Sequence, residues 1–472
     1  MKVKRNPAPK KKPPIIQKLI LDNRIRLGPP YELEQEIKAR FTFTNPAYIE
    51  LCKRRRLAMH ERPDFHIMTK EKINGKWTTR KIPKFVFYWE YDGSDLILPR
   101  GAFHVIQRIF NKHKKKYKII DNRVLHTPLD LRFKGELQES KGQEHFLDYK
   151  AKNGILQAGT GTGKTVMSLY RVYQIQQPTI IVVDTNELLE QWKSRVSQFL
   201  GVHEYEIGHI GGGKASIHPI TVALVQTLKK HPEYLADFGM MIIDECHIAT
   251  TQSYGMVINH FKGVYVMGLS ATPRRKDGYT RVMFWLLGKI HLAIDPNKVE
   301  KLPAKAIFVI SDYKGEISFQ SKYAEAQAVM VRDPERNQLI VDNIIKQQNI
   351  FGVHLILSRS SLHLEELISM MPDHMKLISD LLIGKISKQD RKKIVDLISR
   401  NQLKFLGDPD FLQQACGRVT RVPKTDEVKQ KKKKAYIFYY FDRDEQILRG
   451  AASRSSKRFK ELGIEKEIMR LN

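Results

Sequence analysis

Between residues 154 and 271 short apolar runs alternate with longer stretches of helical periodicity. "GILQAG", "TIIVVD", "ITVALV", "MMIIDE" and "VYVMGLSA" lack polar interruptions, as strands buried on both faces of a parallel sheet do. The intervening "GKTVMSLYRVYQIQ" and "NELLEQWKSRVSQFL" read as helices, the second with Asn186 as N-cap. Strand, helix and strand in turn imply right-handed crossovers, so residues 128–297 are expected to form a doubly wound α/β lobe.

The pattern recurs over 298–445. It predicts a helix around 321–347, a strand in "GVHLILS", a helix in "SLHLEELISMM", a strand in "HMKLIS", a helix in "SKQDRKKIVDLIS" and a strand in "AYIFYYF". Residues 1–127 are less regular. A basic arm of about 14 residues leads into an α+β mixture in which "KFVFYWEYDG" and "LILPRGAF" suggest a hairpin. The tail, 446–472, reads as helical.

Charge sharpens this picture. The 472 residues hold 81 Lys and Arg against 51 Asp and Glu, a net charge of +30. More than half of that excess, +17, lies in residues 1–130, where "KRRR" at 53–56 and "KHKKKYK" at 112–118 sit beside aromatic residues. Such a pole attracts polyanions, and nucleic acid is the expected partner. Cys52, Cys246 and Cys416 form no CxxC pair, which suggests neither a disulfide framework nor a zinc site. There is no apolar run long enough to span a bilayer and no secretory leader pattern, so the expectation is a monomer in the cytoplasm without membrane attachment.

The candidate chemistry lies in "AGTGTGKT", residues 158–165, between a predicted strand and a predicted helix. Gly159, Thr160, Gly161, Thr162 and Gly163 can turn backbone N–H groups toward an anion at a helix N-terminus. Lys164 can reach β- and γ-phosphates, and the Thr165 hydroxyl can ligate Mg²⁺. Ala158 stands where the general pattern has its first glycine. In "MMIIDECH" a buried run ends in Asp244 and Glu245, at the strand edge where ligands of open α/β sheets bind. Asp244 is a candidate metal ligand, and Glu245 a candidate base for the attacking water.

"AGTGTGKT", "DECH", "SAT" at 270–272 and "QQACGRVTR" at 413–421 resemble, in that order, motifs I, II, III and VI of the superfamily 2 helicases. The closest likeness is to the phage branch-migrating helicases of the UvsW type, related to XPB and RecG, with "VVDTNELLEQW" and "VALVQTL" similar to motifs Ia and Ic. The resemblance implies two tandem RecA-like lobes, ATP with Mg²⁺ between them, and branched, duplex or single-stranded DNA across both. It gives Ser270 and Thr272 a coupling role, and places Gln414, Gly417, Arg418 and Arg421 at the γ-phosphate. Arg418 and Arg421, three apart on a helix, share a face, with Arg421 the expected arginine finger.

Two departures stand out. The glutamine that precedes motif I is either Gln138 or Gln143, with Gln143 favoured. Where relatives carry two strands and motif V, only "NQLKFLGDPD", residues 401–410, remains, which implies a shortened second lobe. The leading expectation is an ATP-dependent DNA helicase or translocase that remodels branched DNA. An RNA helicase and a nucleotide-gated DNA-binding protein with an impaired motor are the alternatives.

Overall fold

The computed structural model describes residues 17–29, 32–73, 76–139, 142–159, 162–273, 278–294, 304–311, 331–347, 355–357, 361–376, 379–381, 404–407, 435–442, 456, 459–460 and 464–471. The protein is α/β and divides into two compact units. The first comprises residues 1–137, 144–158 and 164–293; the second comprises 138–143, 159–163 and 294–472.

The first unit is built on an eight-stranded sheet. Its order is Lys214–Ser216, Gly208–Gly211, Ile220–Leu224, Thr179–Val183, Met240–Ile243, Tyr265–Ser270, Asn153–Ala158 and Ile290–Ile294. From Gly208–Gly211 to Asn153–Ala158 neighbouring strands pair in parallel, and the outer Lys214–Ser216 turns back antiparallel. All five apolar runs are strands here, and Thr179–Val183 and Met240–Ile243 are buried along their whole length. The predicted helices are Lys164–Ile175 and Asn186–Leu200. One cap moves by a residue: Thr185, not Asn186, is the N-cap, its extended backbone letting the hydroxyl accept from the Leu188 N–H. Both residue types cap well, and the backbone decides between them.

The N-terminal residues belong to the same unit. A second sheet, in the order Glu90–Asp92, Asp95–Leu98, Ile25–Leu27, Gln17–Leu21 and Tyr117–Asp121, contains the expected hairpin, closed where Asp92 faces Asp95. Its apolar face joins the α/β sheet in one hydrophobic core, with Leu19, Leu27, Phe41 and Ile106 in the same cluster as Ile155, Ile243 and Trp285. Phe41 and Tyr88 pack on Trp285 at ring-centroid distances of 5.2 and 5.4 Å. Arg100 bolts the junction. Its guanidinium, 3% exposed, donates to the carbonyls of Phe261 at 2.7 Å and Gly263 at 2.8 Å and to Asn153 Oδ1 at 3.3 Å. Burial, followed by the repulsion of Arg123, pushes its pKa down to about 9. Arg100→Ala strands three acceptors around a void, and is expected to cost about 3 kcal/mol. Urea unfolding followed by intrinsic tryptophan fluorescence should show the lower midpoint.

In the second unit, Ala304–Ser311 is flanked in parallel by Ala435–Asp442 and Glu465–Leu471. The last strand corrects the expectation of a helical tail over 465–471: a mixed charged and apolar segment finds a ladder partner that no local pattern announces. A second sheet has Lys404–Gly407 between Leu355–Leu357 and Ser379–Leu381, all parallel. Lys404–Gly407 falls within the segment 401–410 that the sequence marks as shortened. Helices Pro334–Gln347 and Ser361–Ser369 form a small core through Val341, Ile344, Leu364 and Leu367. "HMKLIS" starts as a helical turn, Asp373–Lys376, and becomes a strand only at Ser379, because Pro372 accepts the Met375 and Lys376 N–H groups. The helix expected in "SKQDRKKIVDLIS" lies outside the described residues.

Candidate nucleotide site

Three adjacent parallel strands deliver the candidate chemistry to one sheet edge. Gln157 is in register with Ser270, and Ile155 and Ile243 both face Gly268, so strands 153–158, 265–270 and 240–243 end side by side. Lys164, Ser270, Asp244 and Glu245 follow from those ends.

Lys164 opens its helix, and its Nζ lies 3.2 Å from Glu245 Oε1. Glu245 has a left-handed backbone, φ 44° and ψ 51°, which a non-glycine residue adopts only where its surroundings impose it. Burial pushes the Glu245 carboxyl up. The hydrogen bond with His247, whose Nδ1 lies 3.3 Å from Oε2, and the Lys164 charge outweigh it and hold the pKa below the usual glutamate value. Glu245 is therefore an ionised carboxylate at neutral pH.

Asp244 is held more tightly. Trp192 Nε1 donates to Oδ2 at 2.8 Å, and the Glu245 N–H donates to Oδ1 at 2.9 Å. Burial raises its pKa despite these donors. A carboxylate so short of solvent gains from a nearby cation, and with the Thr165 hydroxyl it supplies the hard oxygen donors that Mg²⁺ prefers. The residues present fit such an ion. Among the described residues no group of three or more His, Cys, Asp or Glu side chains converges on a metal position. Cys246 is buried, approaches Gly268 closely, and has its thiol pKa pushed well up by burial, which makes it a packing residue.

The phosphate loop and Gln143 are positioned within the second unit. Thr162 is buried, and its hydroxyl donates to the Gly159 carbonyl at 2.7 Å. Gln143, 2% exposed, donates from Nε2 to the Thr162 carbonyl at 2.6 Å and accepts the Gln138 N–H at Oε1, 2.9 Å away. Gly163 has φ 90°, and a Cβ there would meet Gln143 Nε2 at 2.2 Å, so both backbone and space demand glycine. Of the two glutamines, Gln143 is thus the one whose side chain meets the loop, while Gln138 meets Gln143 through its backbone. Ser270 Oγ accepts the Thr272 N–H at 3.2 Å, which shapes the third motif. Thr160, Gly161, Gln414, Gly417, Arg418 and Arg421 lie outside the described residues.

Sequence reasoning missed Trp192 and His247 as supports of the two acids. Each was inside a quoted motif, but only the tertiary fold brings Trp192 across to Asp244.

Residues 105–275 match the family described as the type III restriction enzyme, res subunit. A DNA 3'-5' translocase XPB2 of Sulfurisphaera tokodaii is 33% identical over 196 residues, covering 41% of this chain and 43% of that protein. The probable helicase D10 of Escherichia phage T5 is 35% identical over 174 residues, covering 36% of this chain and 37% of that protein. Residues 105–275 thus carry the likeness to this family, and the relatives that match are named as a translocase and a helicase. The chain spans less than half the length of either relative. The structure of S. cerevisiae Dbp5 bound to RNA and ADP BeF3 aligns with 79% of this chain and 94% of Dbp5, at a TM-score of 0.50 and 14% identity. At that identity the likeness speaks for the fold alone, RecA-like lobes in tandem.

Proposed function

We propose that this protein is an ATP-dependent DNA translocase that remodels branched DNA. The observation that carries the reading is the placement of Lys164 against Glu245 and of Asp244 under Trp192, at the ends of adjacent parallel strands. In this reading the Lys164–Glu245 pair is a resting contact: an arriving triphosphate takes the ammonium and frees the carboxylate to orient and deprotonate the attacking water. The loop from Gly159 to Gly163 receives the phosphates, and Arg418 and Arg421, with Gln414, complete the neutralisation of the γ-phosphate. Mg²⁺ supplies charge neutralisation of the phosphates when bound, with Thr165 and Asp244 as the residues that hold it. The basic N-terminal residues grip the DNA backbone. DNA is favoured over RNA by the translocase relative and by the UvsW-type motif pattern.

A second reading is a nucleotide-gated binding protein without productive movement, and one observation favours it: only the ten residues 401–410 stand in the sequence where two strands and motif V are expected. ATP turnover measured beside single-stranded DNA, a four-way junction, duplex DNA and RNA, together with strand displacement, decides. Stimulation by the junction with displacement supports the translocase. Turnover without displacement supports the gated binder, and stimulation by RNA alone overturns the choice of DNA.

Trp192 gives a further check on Asp244. Trp192→Phe keeps the packing but removes the indole donor, and the Mg²⁺ concentration for half-maximal turnover is expected to rise about 10- to 100-fold. A titration of turnover against Mg²⁺ at saturating ATP reads it directly.

A further inference from the structure

One prominent feature of the first unit has no part in nucleotide chemistry: a two-stranded ribbon, His66–Ile73 paired antiparallel with Lys76–Pro83. A lone hairpin is marginal in water and needs an anchored face. Here Ile67 and Ile82, directly opposite each other and 3% and 5% exposed, form a cluster with Tyr48 and Cys52 of the helix Pro46–Arg54. Arg55 just beyond that helix donates to the Met68 carbonyl at 2.5 Å. The ribbon is thus held by one face.

Side chains alternate along a strand, and directly opposed residues share a face. The face opposite to Ile67 and Ile82 therefore carries Met68 with Lys81, Lys70 with Thr79, and Trp77 opposite position 72. Trp77 is 71% exposed and Met68 45%. The other three tryptophans are not exposed in this way: Trp192 and Trp285 are buried, and Trp89 is half-buried. An indole left in water beside the turn of a ribbon is a costly placement for a residue with no packing task. Charge identifies the occupant. Residues 66–84 contain six Lys and Arg and a single acid, Glu71, which disfavours a basic or neutral protein partner and favours a polyanion. An aromatic ring among cations, on an edge accessible from outside, is the combination that stacks an unpaired base while lysines meet its phosphates.

We propose that the 66–83 ribbon is a binding site for single-stranded nucleic acid, with Trp77 stacking one unpaired base and Lys70 and Lys81 contacting the adjoining backbone. The proposal rests on the nucleic-acid part of the reading above and not on its ATPase part.

The test is nucleotide-free binding of the full chain to oligothymidylate, oligouridylate, an abasic oligonucleotide of the same length and a blunt duplex, with ATP turnover in the absence of nucleic acid measured in parallel. Trp77→Ala is expected to weaken binding to at least one of the two base-bearing single strands by about 5- to 150-fold, to leave the abasic strand and the duplex unaffected, and to leave basal turnover unchanged. Trp77→Phe should recover most of the loss. Which of the two strands responds identifies the sugar the ribbon accepts. Unchanged affinity for both overturns the proposal and points to a protein partner or plain surface. An equal loss on the abasic strand also overturns it, because the contribution would not be stacking. Wild-type protein that hydrolyses ATP but binds no single strand sinks the ribbon alone; Trp77-dependent binding without any hydrolysis sinks the ATPase reading alone.

Discussion

Glu245→Gln should bind ATP and hold it. The substitution keeps the volume and the hydrogen-bonding reach of the side chain but removes the only charge on it, the charge that faces Lys164 at 3.2 Å. Glu245 is held ionised by His247 and Lys164 against the pull of its own burial, the state that the proposed role of general base requires. Loss of a positioned base costs about 10²- to 10⁴-fold. Turnover should fall by that factor while ATP affinity, read with a fluorescent analogue, stays within a few-fold of wild type. Turnover at the wild-type rate would remove Glu245 from the chemistry and leave the Lys164 pair a structural ion pair.

Lys164→Ala removes the cation itself. It also leaves Glu245 with His247 alone and takes away one of the influences that lower its pKa. Because the Lys164 side chain is only 13% exposed, its charge is poorly screened and its loss is not compensated by water. Turnover should drop about 10²- to 10³-fold, the range for losing one preorganised transition-state donor, and ATP binding should weaken with it. Nucleotide-free DNA binding should be unaffected, since the basic residues assigned to it lie near the N-terminus. Filter binding of a four-way junction tests that second half; simultaneous loss of both activities would mean that the variant has damaged the fold or that the assignment of the loop is wrong.

What could be read in advance follows a physical line. The first unit's strands were legible because a strand covered on both faces must be apolar at every position, and Thr179–Val183 and Met240–Ile243 meet that condition. The placement of Lys164 and of the two acids just beyond strand ends was legible because the apolar runs before them stop abruptly. Trp192 was not, since its contact with Asp244 joins residues 52 apart in sequence. The tail strand Glu465–Leu471 was hidden for a similar reason: its residues follow no alternation, and pairing with Ala304–Ser311 supplies what local preference does not. Arg100 was the least legible of all. Nothing in "LPRGAF" distinguishes a solvated arginine from one that is buried among carbonyls.

The way Phe41, Tyr88 and Arg100 close over Trp285 and the Phe261 turn bears on how this protein could have acquired its N-terminal front end. A front end sharing its interior with the ATP-binding sheet is not a cartridge. Recombination near residue 128 would leave a greasy scar on one fragment and an orphaned cation on the other, so new substrate preferences are expected to arise by small changes on the outer skin, with the seam itself kept.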